Sequence, residues 1–112
     1  TQIAEEAWKR GIYVLIDIHQ DAFSRFNIGG CGDGFPVWAL PPDIRPQTPD
    51  NGATCASWGM RMIVDRDLHR TFSAFHQNQG GVRDRYLLLL SRLAQHFRSH
   101  PGILGFDPIN EP

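Results

Sequence analysis

Residues 12–19 read Ile-Tyr-Val-Leu-Ile-Asp-Ile-His, a nearly unbroken run of β-branched and apolar side chains. That is the pattern of a strand buried on both faces of a parallel sheet. A second run, Ile103-Leu-Gly-Phe-Asp107, is shorter but of the same character. Before the first, Ile3, Ala4, Ala7 and Trp8 recur at helical spacing, Lys9 and Arg10 occupy the last turn, and Gly11 is a natural C-terminal cap. Before the second, residues 66–77 suit one helix, Gln79-Gly80-Gly81 a break, and residues 82–98 another helix that Pro101 stops. In that last helix Tyr86, Leu89, Leu90, Leu93, Ala94 and Phe97 repeat every three or four residues. Strands alternating with helices imply β-α-β units and a parallel sheet.

Parallel crossovers place the carboxyl ends of both strands on one face, so His19, Asp21, Asn110 and Glu111 are expected to converge there. Barrel enzymes build their active sites on that face. A doubly wound sheet obeys a similar rule, and the local pattern alone does not separate the two folds. No Gly-x-Gly-x-x-Gly or phosphate loop favours the nucleotide-binding version, and no internal repeat is visible. From Gln20 to about Asp65 the chain turns to Gly, Pro, Asn and Asp, which reads as a long active-site loop.

The 112 residues are 41% apolar and 21% charged, an ordinary globular composition, with a formal net charge of −1. The basic residues are scattered or interleaved with acids, so nucleic-acid binding has no electrostatic support. The longest apolar runs, Ile12 to Ile16 and Leu87 to Leu90, fall far short of the roughly 20 residues that span a bilayer. No signal peptide is visible. Thr1 opens into a helical pattern with no start signal, and Pro112 stops one residue after a candidate catalytic carboxylate, so the chain is expected to be a fragment.

Two constellations carry chemistry. Asn110-Glu111-Pro112 follows a buried strand. Glycoside hydrolysis needs a partly desolvated carboxylic acid and a neighbour that strengthens its bond to the sugar 2-hydroxyl as positive charge develops, and Glu beside Asn supplies both. The bare tripeptide is also a common turn. Asp17, His19 and Asp21 alternate along the first strand, and residues two apart point to one side. Each needs a partner to offset desolvation, which suits sugar hydroxyls, a divalent metal or a buried hydrogen-bond network.

The segments Leu15-Ile-Asp-Ile-His-Gln-Asp-Ala-Phe-Ser-Arg25, Gly32-Asp-Gly-Phe-Pro-Val-Trp-Ala39 and Gly105-Phe-Asp-Pro-Ile-Asn-Glu-Pro112 resemble the endoglycoceramidase-related branch of glycoside hydrolase family 5. The resemblance implies an α/β fold, part of a (β/α)8 TIM barrel covering about strands 3 to 4. Residues 1–112 would then be the N-terminal half of a catalytic domain, with the loop at about 20–65 beside the active site. It implies Glu111 as acid/base of a retaining enzyme that cleaves a β-glucosidic bond of glycosphingolipids, with a steryl-glucosidase or another family 5 β-glucosidase or endoglucanase as alternatives, and with Asn110, His19 and Asp21 binding substrate and Asp17 supporting them from behind. It further implies no metal and no cofactor. The implied partner is a carbohydrate or glycolipid, with peripheral contact to a lipid surface and no obligate protein partner, and the implied location is secreted or extracellular. The family's nucleophilic Glu belongs to a later strand, so these residues alone are expected to be inactive. The chain departs from the family at Phe106-Asp107-Pro108, where Tyr-Asp-Leu is usual, and at Phe75-His76-Gln77-Asn78, where Phe-Trp-x-Asn is usual.

In a secreted hydrolase a bridge between Cys31 and Cys55 would close about 25 residues of the Pro-rich loop and add roughly 3 kcal/mol. A disulfide is therefore the expected state, and the spacing argues against a zinc knuckle. Phe23, Phe35, Trp38 and Trp58 lie in or beside the same loop, where they either stack on a ligand or staple the loop down. Two other classes of function stand beside the glycosidase. One is a metal-dependent barrel hydrolase with Asp17, His19 and Asp21 as ligands, and the other is a carbohydrate-binding module without catalysis.

Overall fold

The computed structural model describes residues 1–47 and 55–111. Its main elements, in chain order, are α1 (Gln2–Lys9), β1 (Val14–Asp17), α2 (Trp58–Val64), α3 (Arg66–His76), α4 (Val82–Phe97) and β2 (Ile103–Asp107). Thr1 caps α1, its hydroxyl accepting from the Ala4 N–H at 3.5 Å, so the first helix does carry a start signal. Gly11 follows with φ +73°, and its N–H bonds the Trp8 carbonyl. A left-handed residue at that point suits glycine and turns the chain into β1.

β1 and β2 pair in parallel, with Leu15 opposite Gly105, Ile16 opposite Phe106 and Asp17 opposite Asp107. Helix α4 precedes β2 and supplies Phe97, whose ring lies 6.4 Å from that of Phe106. The strands are not buried on both faces as expected: Leu15 is 56% and Leu104 72% exposed. Burying both faces of a parallel sheet takes a layer on each side, and the described residues cover it incompletely. The apolar stripe of α4 is narrower than expected for the same reason. Val82 and Phe97 are buried, Tyr86, Leu90 and Leu93 half-buried, and Leu89 and Ala94 exposed.

The best-packed core lies elsewhere. Phe23 and Ile28, from the segment after β1, are fully buried against Leu68 and Phe75 of α3 and Val82 of α4. Phe23 stacks on Phe35 at 4.2 Å and meets Phe72 and Phe75 edge-on. Phe35 in turn touches Phe75 and Tyr86. Each buried aromatic ring removes on the order of 150–250 Å² from water. That gain offsets strain in three residues held at positive φ without being glycine, Ala22, Phe23 and Ile28, which cost on the order of 1–3 kcal/mol each.

Residues 20–65 are accordingly not one irregular loop. They include short 3-10 turns at Ile28–Gly30, Val37–Ala39 and Cys55–Ser57, and the helix α2. Buried polar side chains satisfy the backbone where no ladder exists. The Ser24 hydroxyl donates to the Phe35 carbonyl at 2.7 Å, and the Asn27 amide donates to the Ala22 carbonyl at 3.3 Å. Phe23 and Phe35 therefore staple the segment down, whereas Trp38 remains 58% exposed beneath the Arg85 guanidinium.

Cys31 and Cys55 are joined by a disulfide that spans 24 positions. Replacing both by Ala in the full-length protein should lower the unfolding free energy by about 3 kcal/mol through the lost loop constraint. Equilibrium urea denaturation measures this. An unchanged midpoint would mean that the aromatic core alone holds the segment.

Candidate active site

The two parallel strands continue to exchange hydrogen bonds past their ends. The Ile18 N–H donates to the Asp107 carbonyl at 3.1 Å, and the Asn110 N–H donates to the Ile18 carbonyl at 3.3 Å. This carries Ile18-His-Gln-Asp21 and Pro108-Ile-Asn-Glu111 side by side off the carboxyl edge of the sheet. All five expected site residues lie on these two segments or at the end of β1.

His19 stands between two carboxylates. Its Nδ1 is 3.0 Å from Asp17 Oδ2 and its Nε2 is 3.2 Å from Asp21 Oδ2. Strand alternation accounts for this, since positions 17, 19 and 21 share a side. The hydrogen bond to Asp17 raises the imidazole pKa most and that to Asp21 next, against a smaller opposing effect of desolvation. Both ring nitrogens facing carboxylate oxygens favour the doubly protonated ring, which holds Asp17 and Asp21 in place as acceptors.

Asp21 is also fixed from its other side. Its N–H donates to Asp33 Oδ1 at 3.0 Å, and the Asp33 N–H returns to the Asp21 carbonyl at 2.8 Å. The approach is close enough to require glycine next door: a Cβ on Gly32 would lie 2.3 Å from the Asp21 carbonyl oxygen. Ligand atoms of His19, Asp21 and Asp33 all lie within 4.8 Å of one another. The metal-type grouping is thus completed by Asp33, where Asp17 was the expected third member.

Between His19 and Asp21, Gln20 points to the opposite side and is 1% exposed. Its Oε1 accepts from the Phe23 N–H at 2.8 Å. Its Nε2 donates to the carbonyls of Asn110 and Glu111, the latter at 3.2 Å. The Asn110 amide donates back to the Gln20 carbonyl at 3.1 Å. Glu111 itself is exposed and held at φ +40°. Pro108 lacks an N–H, but its carbonyl accepts from the Tyr86 hydroxyl. Burial, and then the charges of Asp17 and Asp107, push the Tyr86 pKa up.

Gln20, Asp33 and Tyr86 were not among the expected site residues. Gln20 carried a readable signal, a polar side chain on the far side of a strand end, which must find partners when buried. Tyr86 was read only as part of an apolar stripe, and Asp33 lies 12 positions from its partner with no periodicity to connect them.

A parallel strand pair with acids, an imidazole and amides gathered at its carboxyl edge places polar groups where α/β folds build their sites. In structure the chain is similar to an endogalactoceramidase, with a TM-score of 0.72, 28% identity, and coverage of 98% of this chain and 25% of that one. In sequence it is 31% identical to an endoglycoceramidase of Cyanea nozakii over 129 residues, spanning 99% of this chain and 25% of that protein. An endoglycoceramidase of Hydra vulgaris is 30% identical over 98% of this chain and 24% of its own length. Endoglycoceramidase I of Rhodococcus hoagii is 29% identical over all of this chain and 21% of its own length. No family model matches. The chain thus spans about a quarter of the length of these relatives.

Asp17→Asn should lower the His19 pKa, and by more than Asp21→Asn, because the Asp17 hydrogen bond is the larger cause of its elevation. Since the folded value lies above the ordinary imidazole value of 6.5, the contribution to stability is complete below about that pH and is lost as pH rises through the folded value. NMR titration of the imidazole checks the order. Equal, unshifted titration in both variants would show that neither pair forms in solution.

Proposed function

We propose that the chain is part of the catalytic domain of a retaining glycoside hydrolase, within a (β/α)8 barrel of glycoside hydrolase family 5, and that its substrate is a glycosphingolipid. The observation that carries this reading is the meeting of Asp17-x-His19-x-Asp21 with Asn110-Glu111 at the carboxyl edge of one parallel strand pair. Similarity to endoglycoceramidases along 98–100% of the chain supports it.

In this mechanism Glu111 protonates the departing glycosidic oxygen while a carboxylate attacks the anomeric carbon. Glu111 then removes a proton from water, which opens the covalent glycosyl-enzyme. Asn110 contacts the 2-hydroxyl, and Asp21, oriented by His19, accepts from outer hydroxyls of a β-linked glucose. Asp17 holds His19 from behind. The nucleophile comes from sequence beyond these residues. Besides Glu111 the chain has only Glu5 and Glu6, both on α1, and Glu5 pairs with His100 at the amino edge of β2. The reaction takes no metal or cofactor, the substrate class entails contact with a lipid surface, and the enzyme acts outside the cell.

The second reading, a metal-dependent hydrolase, draws on the His19, Asp21 and Asp33 grouping. Asp21→Ala in the full-length protein separates the two. The glycosidase reading gives a higher KM and a loss in kcat/KM of about 1–3 kcal/mol, as expected when polar contacts to substrate go unmade. A large loss restored by added zinc or manganese, or inactivation of the parent enzyme by a chelator, would favour the metal.

Glu111→Ala tests the central assignment through the leaving group. A ceramide alkoxide departs poorly without an acid, whereas an activated phenolate needs little help. The variant should lose roughly 10²- to 10⁴-fold on the glycolipid yet release a burst of phenol from an activated aryl glucoside, because deglycosylation lacks its base. Azide should restore turnover and give the β-glycosyl azide, by attack on the face the leaving group vacated. Near-normal glycolipid hydrolysis, or an α-azide product, would overturn the assignment.

A further inference from the structure

We infer that Gln20 is the positioning residue that sets the acid/base: its buried amide clamps the carbonyls of Asn110 and Glu111 and so fixes where the Glu111 carboxyl is presented. The inference rests on the retaining-hydrolase reading above. The amide is fully used, with Nε2 serving the Asn110 and Glu111 carbonyls and Oε1 serving the Phe23 N–H. It acts over 90 positions of sequence, and the Asn110 side chain answers by donating to the Gln20 carbonyl. Two reciprocal amides thus join two segments where the sheet ladder has ended.

The clamp is needed because of what it holds. Glu111 sits at φ +40°, a left-handed conformation that a residue with a Cβ keeps only when its surroundings impose it. Of the contacts that hold residues 108–111, the Tyr86 bond stops at the Pro108 carbonyl and the Ile18 bond at the Asn110 N–H. The Glu111 main chain is reached by Gln20. Gln20 is in turn set by Gly34: at φ +106°, a Cβ there would stand 2.7 Å from the Gln20 Cβ. The loop edge therefore lies directly against the clamp and fixes its stem.

Gln20 touches the main chain of the acid/base and not the reacting atoms, so its removal should affect acid assistance selectively. In the full-length enzyme, Gln20→Met keeps the length and bulk of the side chain and deletes the amide. Gln20→Glu keeps the acceptor for Phe23 and places a carboxylate against two carbonyls. Rates are taken per active site, counted with a mechanism-based fluoroglucoside, so that any unfolded fraction drops out. Both variants are expected to lose about 10- to 100-fold in kcat on a glycoside with a poor alkoxide leaving group, the scale of an ångström-level misplacement. The glycosylation rate on an activated aryl glucoside should change little, its KM should fall as deglycosylation slows, and the KM for the alkoxide substrate should hold.

Equal losses on the two leaving groups, or failure of both variants to yield countable active sites, would assign Gln20 a structural role, and no loss at all would assign it none; each overturns the inference. Glu111→Ala, measured alongside, separates this from the underlying reading. If that variant does not discriminate between leaving groups, the acid/base assignment fails; if it does and the Gln20 variants do not, only the clamp fails.

Discussion

The parallel register of β1 and β2 is the constraint on which the remaining geometry depends. Because Asp17 lies opposite Asp107, the chain leaves both strands at the same level, and two further backbone bonds carry the pairing out to Asn110. One residue of slip would turn His19 and its two acids to the other side of the sheet and put Gln20 in their place. The polar edge therefore follows from the ladder, and the ladder from the two apolar runs.

The segment after β1 solves a different problem. It must pass over the strand ends without a ladder of its own, so it buries Phe23 and Ile28 and lets Ser24 and Asn27 serve the backbone. Three non-glycine residues at positive φ show that packing here overrides local preference. Asp33 reaches Asp21, and Gly34 reaches Gln20, because that packing brings the loop edge down onto the strand end.

Much of this was legible in the residues. Helical spacing disclosed α1 and α4, unbroken apolar runs disclosed the parallel strands, and the alternation of Asp17, His19 and Asp21 disclosed their common side. The less legible parts share one physical cause: they depend on contacts between positions far apart in the chain. Helix α2 lay hidden in a Gly- and Pro-rich stretch, and its Met60, Ile63 and Val64 are exposed, so no amphipathic stripe marked it. For Phe23 and Phe35 the residues leave ligand stacking and loop stapling both open, and the stacked pair decides for stapling. Gln20 stands between two titratable neighbours, and its parity alone sends it to the buried side.

The close seating of Gly32 and Gly34 against the strand end has a consequence for how such a chain can vary over generations. At those two positions any side chain meets backbone or the stem of Gln20, so change is closed off by volume before chemistry is consulted. A few residues on, Val37 and Trp38 stand in solvent, where exchange costs little folding energy. One short loop thus joins an inflexible root to a permissive tip, and diversification can accumulate at the rim while the polar edge beneath it stays in register.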